Sequence, residues 1–480
     1  MKVLVIASNR NFYPEPVMPI GACMAAEAAQ GAGHEVELID LMFERDPALA
    51  VRSSIKRFKP DVTGVSIRNI DNNDLSEPRR FYEDVSAVTG SVRQLTDGPL
   101  IIGGAALSVM PRELLVKTGA QLAVLADGEN VFPAVLDAIA SGKEPDNMEG
   151  TAKMEDGIFV SNPSRQRPSP FRPPRYEKWL NTRRYLSMLS TAPMLTKVGC
   201  HFKCVYCTYR RLDENGKAPY EFMEPSEAAN EVERLSKTGF RDIEFVDYVF
   251  NSPLGHAIPV CEEVIKRKTR ARLHTLELNP LFVSGELVRS MEKAGFAGVG
   301  ITAESASDHV LAGLKKGFLA EHVIKAAEIM RKSKLPCLWI FMLGGPGETP
   351  ETVSETLNFV QKYLKPNDAA FFNTGIRIYP GTELEKIARE EGLLSLATQD
   401  MLEPVFYLSP QIDFNWLLRQ VEATVAGNLN MIDIRSMQFR HLPRIRRVSR
   451  MLGIKQPLWR HTAVIRRGLR FLGMEDAGKK

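Results

Sequence analysis

The sequence predicts an α/β chain in three parts: a doubly wound, Rossmann-like N-terminal domain, a second run of six strand–helix units, and a mainly helical C-terminal region. Three observations carry this reading. Short apolar runs alternate with helix-like stretches from residue 1 to about 145. The alternation breaks at Ser161–Arg175, rich in Pro, Ser and Arg, and resumes from about 185 to 395. Residues 396–480 then keep a 3.6-residue apolar period and little strand pattern. The expected boundaries are therefore 1–145, a linker at 146–184, 185–395 and 396–480.

In the first part, candidate strands are Val3–Ala7, Glu35–Ile39, Val62–Ile67, Leu100–Ile102 and Leu122–Leu125. Helical patterns lie near Ile20–Gln30, Ala48–Phe58, Pro78–Thr96, Pro111–Lys117 and Val131–Ala140. Strict alternation argues for a parallel sheet wound on both faces. A ligand in such a sheet sits outside the carboxyl ends of the strands, where the strand order switches. The loops that fall there are Asn9–Gly21, Ser66–Asn73, Gly103–Ser108 and Asp127–Asn130. They are rich in Gly and small polar residues, so backbone amides can approach a large ligand. No G-x-G-x-x-G follows the first strand, which disfavours a dinucleotide.

Strands of the second run are expected at Met194–Val198, Ile243–Val246, Arg272–Glu277, Gly298–Thr302, Leu338–Leu343 and Ala370–Ile378. In a barrel, catalytic loops sit at the carboxyl ends of the strands. The loop after the first of these strands opens on Cys200. In the C-terminal region Leu458, Thr462, Ile465, Leu469 and Leu472 share one helical face, with Arg460, Arg466, Arg467 and Arg470 on others.

Composition is that of a globular chain, and 480 residues suffice for about three ordinary domains. No apolar run approaches the roughly 20 residues that cross a bilayer. The start, Met1-Lys-Val-Leu-Val-Ile-Ala7, reads as a buried strand and lacks a processing site. A cytoplasmic protein is expected. Net charge is +4, yet from Met431 onward there are 13 Lys/Arg against 3 Asp/Glu, so this tail carries about +10 and the rest about −6.

The richest segment is Cys200-His-Phe-Lys-Cys204-Val-Tyr-Cys207, a C-x3-C-x2-C spacing. Three close thiolates can hold three corners of a four-iron, four-sulfur cube and leave the fourth iron open to chemistry. A structural zinc site would need a fourth ligand, usually as two separated pairs. The remaining thiols are single, at Cys23, Cys261 and Cys337, where packing is the expected role. Six Cys in 480 residues is also too sparse for a disulfide framework.

This spacing resembles the signature of the radical S-adenosylmethionine (radical SAM) superfamily. Further segments at expected strand ends are similar to that family. Phe245-Val-Asp-Tyr-Val-Phe-Asn251 follows the second strand. Thr302-Ala-Glu-Ser305 resembles a G-I-E-S segment but has Thr and Ala in the first two places. Phe341-Met-Leu-Gly-Gly-Pro-Gly-Glu-Thr349 matches the Gly-rich segment near adenine, and Arg377-Ile-Tyr-Pro-Gly-Thr382 follows the sixth strand. The resemblance implies that the six units form a partial (β/α)6 barrel. In the first domain Ile101-Ile-Gly-Gly104, Ala126-Asp-Gly-Glu129, Gly33-His-Glu-Val-Glu-Leu-Ile-Asp40 and Ser66-Ile-Arg-Asn-Ile-Asp71 resemble the cobalamin-binding domain fused ahead of such barrels. Phe406-Tyr-Leu-Ser-Pro410 is also similar to cobalamin-fused relatives. A D-x-H-x-x-G motif is missing, and His34 reads as a solvated turn residue. Cobalamin is therefore expected without a protein histidine on its lower face.

The resemblance implies three cofactors: a [4Fe-4S] cluster on Cys200, Cys204 and Cys207, S-adenosylmethionine, and cobalamin. For S-adenosylmethionine, the implied contacts are Asp247 to the amine and Glu304 and Ser305 to ribose or methionine. Tyr206 and Phe341 would flank adenine, with Gly344 and Gly345 beside it. For cobalamin they are Ser66, Arg68, Asn69, Gly103, Gly104, Gly128 and Glu129. The implied activity is methyl transfer to an unactivated carbon through a 5′-deoxyadenosyl radical and methylcobalamin.

Competing readings are a cyclase or rearrangement enzyme with the same cofactors and no methyl transfer, and a non-catalytic corrinoid-binding module. The three intact cysteines speak against the second. A nucleic-acid substrate, as in tRNA methylthiolation, is not expected, because residues 1–199 hold only Cys23 for a second cluster. Expected partners are a small-molecule substrate and an external one-electron reductant of ferredoxin or flavodoxin type. The basic amphipathic C-terminal helix, with Trp459, raises contact with an anionic inner membrane surface and a lipid-like substrate.

Overall fold

Two mainly parallel sheets, each with helices packed against it, are joined through loops at the carboxyl ends of their strands. The computed structural model describes residues 1–125, 128–145, 147–163, 173–208, 220–395 and 400–473. The first sheet comprises β1 (Lys2–Ala7), β2 (Glu35–Asp40), β3 (Val62–Ser66), β4 (Leu100–Gly103) and β5 (Leu122–Val124), all parallel, in the order 2-1-3-4-5. Helices α1 (Ile20–Gly31), α2 (Pro47–Phe58), α3 (Tyr82–Arg93), α4 (Pro111–Thr118) and α5 (Gly128–Ala140) connect them. The local grammar is clear in α2: Asp46 caps it by accepting from the Leu49 N–H at 2.9 Å, Pro47 opens it, and Lys59 ends it in left-handed backbone.

The expected linker is partly structured. Residues 151–162 fold into an antiparallel hairpin, β6 (Thr151–Glu155) and β7 (Ile158–Asn162), which extends the first sheet beyond β5. The turn at Asp156 and Gly157, both at positive φ, closes it. Most of Ser161–Arg175, and Ala126 and Asp127 of the Ala126–Glu129 segment, lie outside the described residues. His34 is not solvated as expected. It is 7% exposed, against Asp137 of α5 at 3.3 Å, and it precedes β2, at the end of the sheet away from the ligand loops.

After α6 (Tyr176–Trp179) and α7 (Thr182–Ser187) comes the second sheet. Its strands are β8 (Ala192–Met194), β11 (Asp242–Phe245), β12 (Arg272–Leu278), β13 (Phe296–Glu304), β14 (Cys337–Leu343), β15 (Ala369–Thr374) and β18 (Met431–Asp433). All pairings are parallel, and the edges β8 and β18 do not pair with each other, so the barrel is partial. Helices α8 (Pro225–Lys237), α9 (Leu254–Arg267), α10 (Gly285–Ala294), α11 (Asp308–Gly313), α12 (Ala320–Arg331) and α13 (Pro350–Tyr363) lie between the strands in sequence. Val299, Ile301 and Ala303 of β13 pack into the core shared with α10 and α12. Gly298 has no side chain because Pro457 stands 2.7 Å from where its Cβ would be.

Two expected strands divide. Met194–Val198 splits into β8 and β9 (Lys197–Val198), the latter pairing antiparallel with β10 (Glu221–Phe222). Ala370–Ile378 splits at Gly375 into β15 and β16 (Ile376–Arg377), which pairs with β17 (Phe406–Tyr407) across α14 (Glu383–Glu390). Gly375 has φ +74°, a conformation that ends a strand cheaply only for glycine. The C-terminal region also departs from expectation. Besides α15 (Phe414–Gly427), α16 (Ile434–Met437), α17 (Leu442–Met451) and α18 (Thr462–Phe471), it supplies β18, the seventh strand of the barrel.

The two sheets are joined by buried polar contacts. Arg377, 4% exposed, donates to Asp71 at 2.8 Å and to the carbonyls of Ile378, Met401 and Val405. Arg446 of α17 pairs with Glu15 at 3.0 Å, and Gln438 donates to Asp74 at 2.8 Å. Asp71→Asn leaves the Arg377 guanidinium buried without its counter-charge. It should cost about 3–5 kcal/mol of stability in urea unfolding; a loss below about 1 kcal/mol would show that the carbonyls alone satisfy Arg377.

Candidate active site between the two sheets

The cysteine loop leaves the barrel directly above β9. What holds it is Asp247, fully buried at the end of β11. Its Oδ1 accepts from the backbone N–H of Thr196 at 2.6 Å and of Lys197 at 3.1 Å, and its Oδ2 accepts from the Thr196 hydroxyl at 2.7 Å. Lys197, also buried, donates to the Phe250 carbonyl at 2.7 Å. Burial disfavours both charges: the Asp247 carboxyl is raised, and the Lys197 ammonium is lowered to about 8. Asp247 was expected to meet the amine of S-adenosylmethionine. With three hydrogen bonds already in place, it is instead the anchor of the loop.

Beyond this anchor the loop is clamped by backbone bonds, Val205 N–H to Leu314 O at 3.2 Å and Leu384 N–H to Val205 O at 2.9 Å. Cys200, Cys204 and Cys207 are free thiols, all half-buried. Burial pushes the Cys200 thiol up to about 11. No three metal-ligating side chains among the described residues converge as they would around a single ion. A four-iron cube takes its thiolates on separate corners, and three free thiols on one short loop have the number and chemistry to hold three of them.

Beside the loop, β13 ends in Glu304, which sits in left-handed backbone at φ +61°. Its Oε1 accepts from the Tyr206 hydroxyl at 2.8 Å and from Lys316 Nζ at 3.1 Å, and Lys316 also donates to Tyr206 at 2.9 Å. Glu304 Oε2 is buried and has no hydrogen-bond partner, an acceptor left for a ligand. Burial works against the Lys316 charge, but Glu304 and Cys204 outweigh it and hold the ammonium above its ordinary value. Burial and then Glu304 keep the Tyr206 phenol protonated. Strain, an orphan acceptor and a charged triad converge where the cysteine loop meets β13.

Two residues expected to contact ligand are placed inside the protein. Phe341 is fully buried and stacks on Phe372 at 5.7 Å with Phe359 at its edge, so its ring packs beneath the helices. Ser305 is also fully buried, with its hydroxyl 3.1 Å from that of Thr356 and accepting from the Ser307 N–H at 3.1 Å. It shapes the turn after β13. Gly344, at φ +95°, and Gly345 form a tight turn after β14, donating their N–H groups to Glu348 Oε2. Burial raises the Glu348 carboxyl to about 7 against these two bonds.

On the other side, the loops after β1 and β3 carry Ser8, Asn9, Arg68 and Asn69 around a small cavity of about 140 Å³. The Ser66 carbonyl accepts from the Ser8 N–H and hydroxyl, locking the two loops together. Gly104, at φ +101°, brings its backbone so close to Ile67 that a Cβ would lie 2.5 Å from the Ile67 carbonyl, and Gly103 O accepts from the Ile67 N–H. Gly128 opens α5 with nothing within 4 Å of its missing Cβ, and Glu129 follows in the first turn. Arg68 also reaches the main cavity, about 1170 Å³, lined by both domains and by the C-terminal helices. A chamber of this size, with Arg68 in its wall, is large enough to take a corrin.

Sequence reasoning missed several groups. Lys316 adjoins Lys315, which pairs with Glu383 at the surface, and the pair Lys-Lys-Gly does not reveal which lysine turns inward. Glu277, on β12, has no hydrogen-bond partner for its carboxylate among the described residues, and burial with nearby Glu304 raises it to about 7. Glu244 lines the main cavity. Period-2 alternation in β11 and β12 was the one available signal for these two, since a charged residue inside a buried strand must face a lumen.

A cysteine loop on a partial barrel, with a Rossmann-like domain packed beside it, is the arrangement expected of a radical SAM enzyme with a corrinoid-binding domain. Residues 194–360 match the radical SAM superfamily, and residues 12–136 match the B12 binding domain. The chain thus joins a region similar to the radical SAM superfamily to one similar to the B12 binding domain. It is 24% identical over 462 residues to a tryptophan 2-C-methyltransferase of Streptomyces laurentii, covering 81% of this chain and 75% of that protein. An uncharacterised methyltransferase of Pyrococcus horikoshii is 25% identical over 391 residues, 78% of this chain and 79% of the other. Among solved structures, the radical S-adenosylmethionine methyltransferase TsrM from Kitasatospora setae, with cobalamin and a [4Fe-4S] cluster bound, superposes with a TM-score of 0.85 at 22% identity, covering 98% of both chains. The cobalamin-dependent enzyme OxsB gives 0.67 at 14% identity, over 99% of this chain and 75% of the other.

Two predictions follow from the geometry. Lys316→Met should leave iron content unchanged but weaken S-adenosylmethionine binding at least tenfold in equilibrium dialysis; unaltered binding would remove Lys316 from the site. Glu348 titrates higher in the folded chain than its ordinary 4.5, so the native state holds the extra proton, and its contribution to stability falls as pH rises from about 4.5 to 7. Glu348→Gln should therefore flatten the drop in urea midpoint between pH 5 and 7.5, and an unchanged slope would assign that drop to other groups.

Proposed function

We propose that this enzyme is a cobalamin-dependent radical SAM methyltransferase that acts on an unactivated carbon of a small molecule. The observation that carries this reading is the shared chamber. Arg68 from the carboxyl-end loop of β3 and Glu244, Val246 and Leu276 from the barrel line the same cavity. The corrinoid-side loop and the barrel wall thus share one enclosed space, in which a substrate could meet a group that cobalamin would carry. Two relatives are named as methyltransferases, which favours methyl transfer over cyclisation or rearrangement.

The residues divide the work. Cys200, Cys204 and Cys207 would hold the cluster, which supplies one electron to the sulfonium, and Asp247 keeps their loop in register. Lys316 presents a fixed positive charge for the methionine carboxylate, and Glu304 Oε2 accepts from a ligand hydroxyl or amine. The turn at Gly344 and Gly345 offers backbone close to adenine. Arg68, Asn69, Gly103, Gly104, Gly128 and Glu129 are the groups we assign to cobalamin, which carries the methyl group when bound. An external one-electron reductant of ferredoxin or flavodoxin type would recharge the cluster.

The structure favours a soluble substrate over a membrane-resident one. Leu458, Thr462, Ile465 and Leu469, the apolar face expected to enter lipid, line the main cavity instead. Arg466 and Arg470 donate to the carbonyls of Val425, Ala426 and Asn428 at the end of α15, where the helix dipole favours cations, and Arg466 also donates to that of Met431 in β18. No helix among the described residues is long and apolar enough to cross a membrane. The tryptophan named for relatives of this fold is an example of the substrate size we expect.

The reading is tested by incubating reconstituted holoenzyme, a one-electron reductant and candidate substrates with methyl-labelled S-adenosylmethionine. Label should appear in a carbon-bound methyl group together with 5′-deoxyadenosine, and Cys204→Ala should lose both with its cluster absorbance. Product formed without label would point to the rearrangement reading.

A further inference from the structure

The small cavity of about 140 Å³ beside the loops after β1 and β3 is lined by donors that the protein does not answer. Asn9 is the first. Its Oδ1 accepts from the Asn11 N–H at 3.2 Å, which fixes the amide, and its Nδ2 is buried with no hydrogen-bond partner among the described residues. Arg10 is the second. Its Nη2 donates to the Glu44 carbonyl at 3.0 Å, while its Nε is buried and likewise unpartnered. A buried N–H without an acceptor is costly, and two on adjacent residues around one cavity call for a ligand that brings acceptors.

Charge around the cavity selects an anion. Arg10, Arg68 and Arg79 line it against one carboxylate, Asp84, which is exposed to solvent. Ser8 and Asn11 are already committed, the first to the Ser66 carbonyl at 2.8 Å and the second to the Tyr13 backbone. Position then narrows the anion. The strand order 2-1-3-4-5 switches between β1 and β3, the two strands whose loops build this cavity. Phosphate-bearing ligands settle in such crevices. A tetrahedral phosphate also offers acceptors in more directions than a planar carboxylate, which suits donors arriving from two loops. The cavity is set apart from the groups we assign to cobalamin at α5. Val85 places it on the face covered by α2, α3 and α4, whereas Gly128 and Glu129 open α5, which packs with α1 on the opposite face.

We propose that Asn9 and Arg10, backed by the charge of Arg68 and Arg79, form a phosphate-binding site at the mouth of the first sheet. Arg68 and Arg79 line the main cavity as well, so the occupants of the two spaces meet across these arginines. The phosphate comes from one of two sources: a free or ligand-borne phosphate, or the phosphodiester of cobalamin's own nucleotide tail. Recognition is the same for both. Phosphate binding here does not require methyl transfer, so each reading can fail without the other.

The test is equilibrium dialysis of radiolabelled inorganic phosphate against cluster-reconstituted enzyme in three states: free of corrinoid, loaded with cobalamin, and loaded with cobinamide, which lacks the nucleotide and its phosphate. In the corrinoid-free state phosphate should bind at millimolar concentration or below, and at least tenfold more tightly than acetate. Asn9→Asp keeps the Asn11 contact but puts an acceptor where the donor stands. That variant and Arg10→Gln should each weaken phosphate binding at least tenfold with iron content unchanged. Should these loop variants not fold, Arg79→Gln, at an exposed position, takes their place with at least a threefold loss expected. If the phosphate is cobalamin's own, cobalamin but not cobinamide displaces the label, and the variants weaken cobalamin while sparing cobinamide. If it is separate, the label binds equally in all three states and the variants spare cobalamin. The proposal is overturned if the wild-type enzyme binds no phosphate at these concentrations, if acetate binds as well, or if binding survives the substitutions. Displacement by cobinamide would also overturn it, by making the pocket part of the corrin cradle.

Discussion

Everything at the cluster end depends on one buried carboxylate. Asp247 gathers two backbone N–H groups and a hydroxyl from Thr196 and Lys197, the residues that lead into Cys200. A loop cannot present three thiols to one cube unless its root is fixed, because each added degree of freedom spreads the sulfurs apart. Placing that root on the end of β11 ties the loop to the most buried part of the barrel. The backbone clamps to Leu314 and Leu384 then fix its far side against α11 and α14.

The second constraint is the meeting of two sheets at their carboxyl ends. Each sheet alone is an ordinary parallel layer with its functional loops open to water. The bond between Asp71 and Arg377 links a loop of the first sheet to the end of the sixth barrel strand, and the hydrophobic core continues across this seam from Ile67 and Ile70 to Ile376 and Tyr407. The C-terminal region completes the enclosure. It contributes β18 to the barrel edge, while Arg446 and Gln456 reach Glu15 on the first domain. Its basic character thus serves docking: guanidinium groups satisfy carbonyls and carboxylates at the walls of the chamber.

Much of this was legible in the chain. The five parallel strands of the first domain and the six of the barrel lie where the apolar alternation put them, and the C-x3-C-x2-C spacing marked the loop we assign to the cluster. The roles of single residues were less legible. Asp247 and Ser305 carry the right chemistry at the right strand ends, but hydrogen-bonding capacity spent inside the protein cannot be read from a motif. Phe341 fell on the helix-facing side of β14, and an aromatic beside a Gly-rich turn looks the same on either face. Lys316 and Glu244 were missed because their significance lies in what stands opposite them.

The sequence by itself determined the class of chemistry, since three closely spaced thiols and the Gly-rich strand ends are local signals that depend on few neighbours. It also determined the two α/β layers, whose apolar periodicity is a property of each segment. Only the tertiary structure decided that residues 151–162 pair with the first sheet, that Met431–Asp433 becomes a seventh barrel strand, and that the last helix turns its apolar face inward. The physical reason is that edge pairing and docking are settled between segments far apart in the chain, where short strands and amphipathic helices have several possible partners and burial selects one.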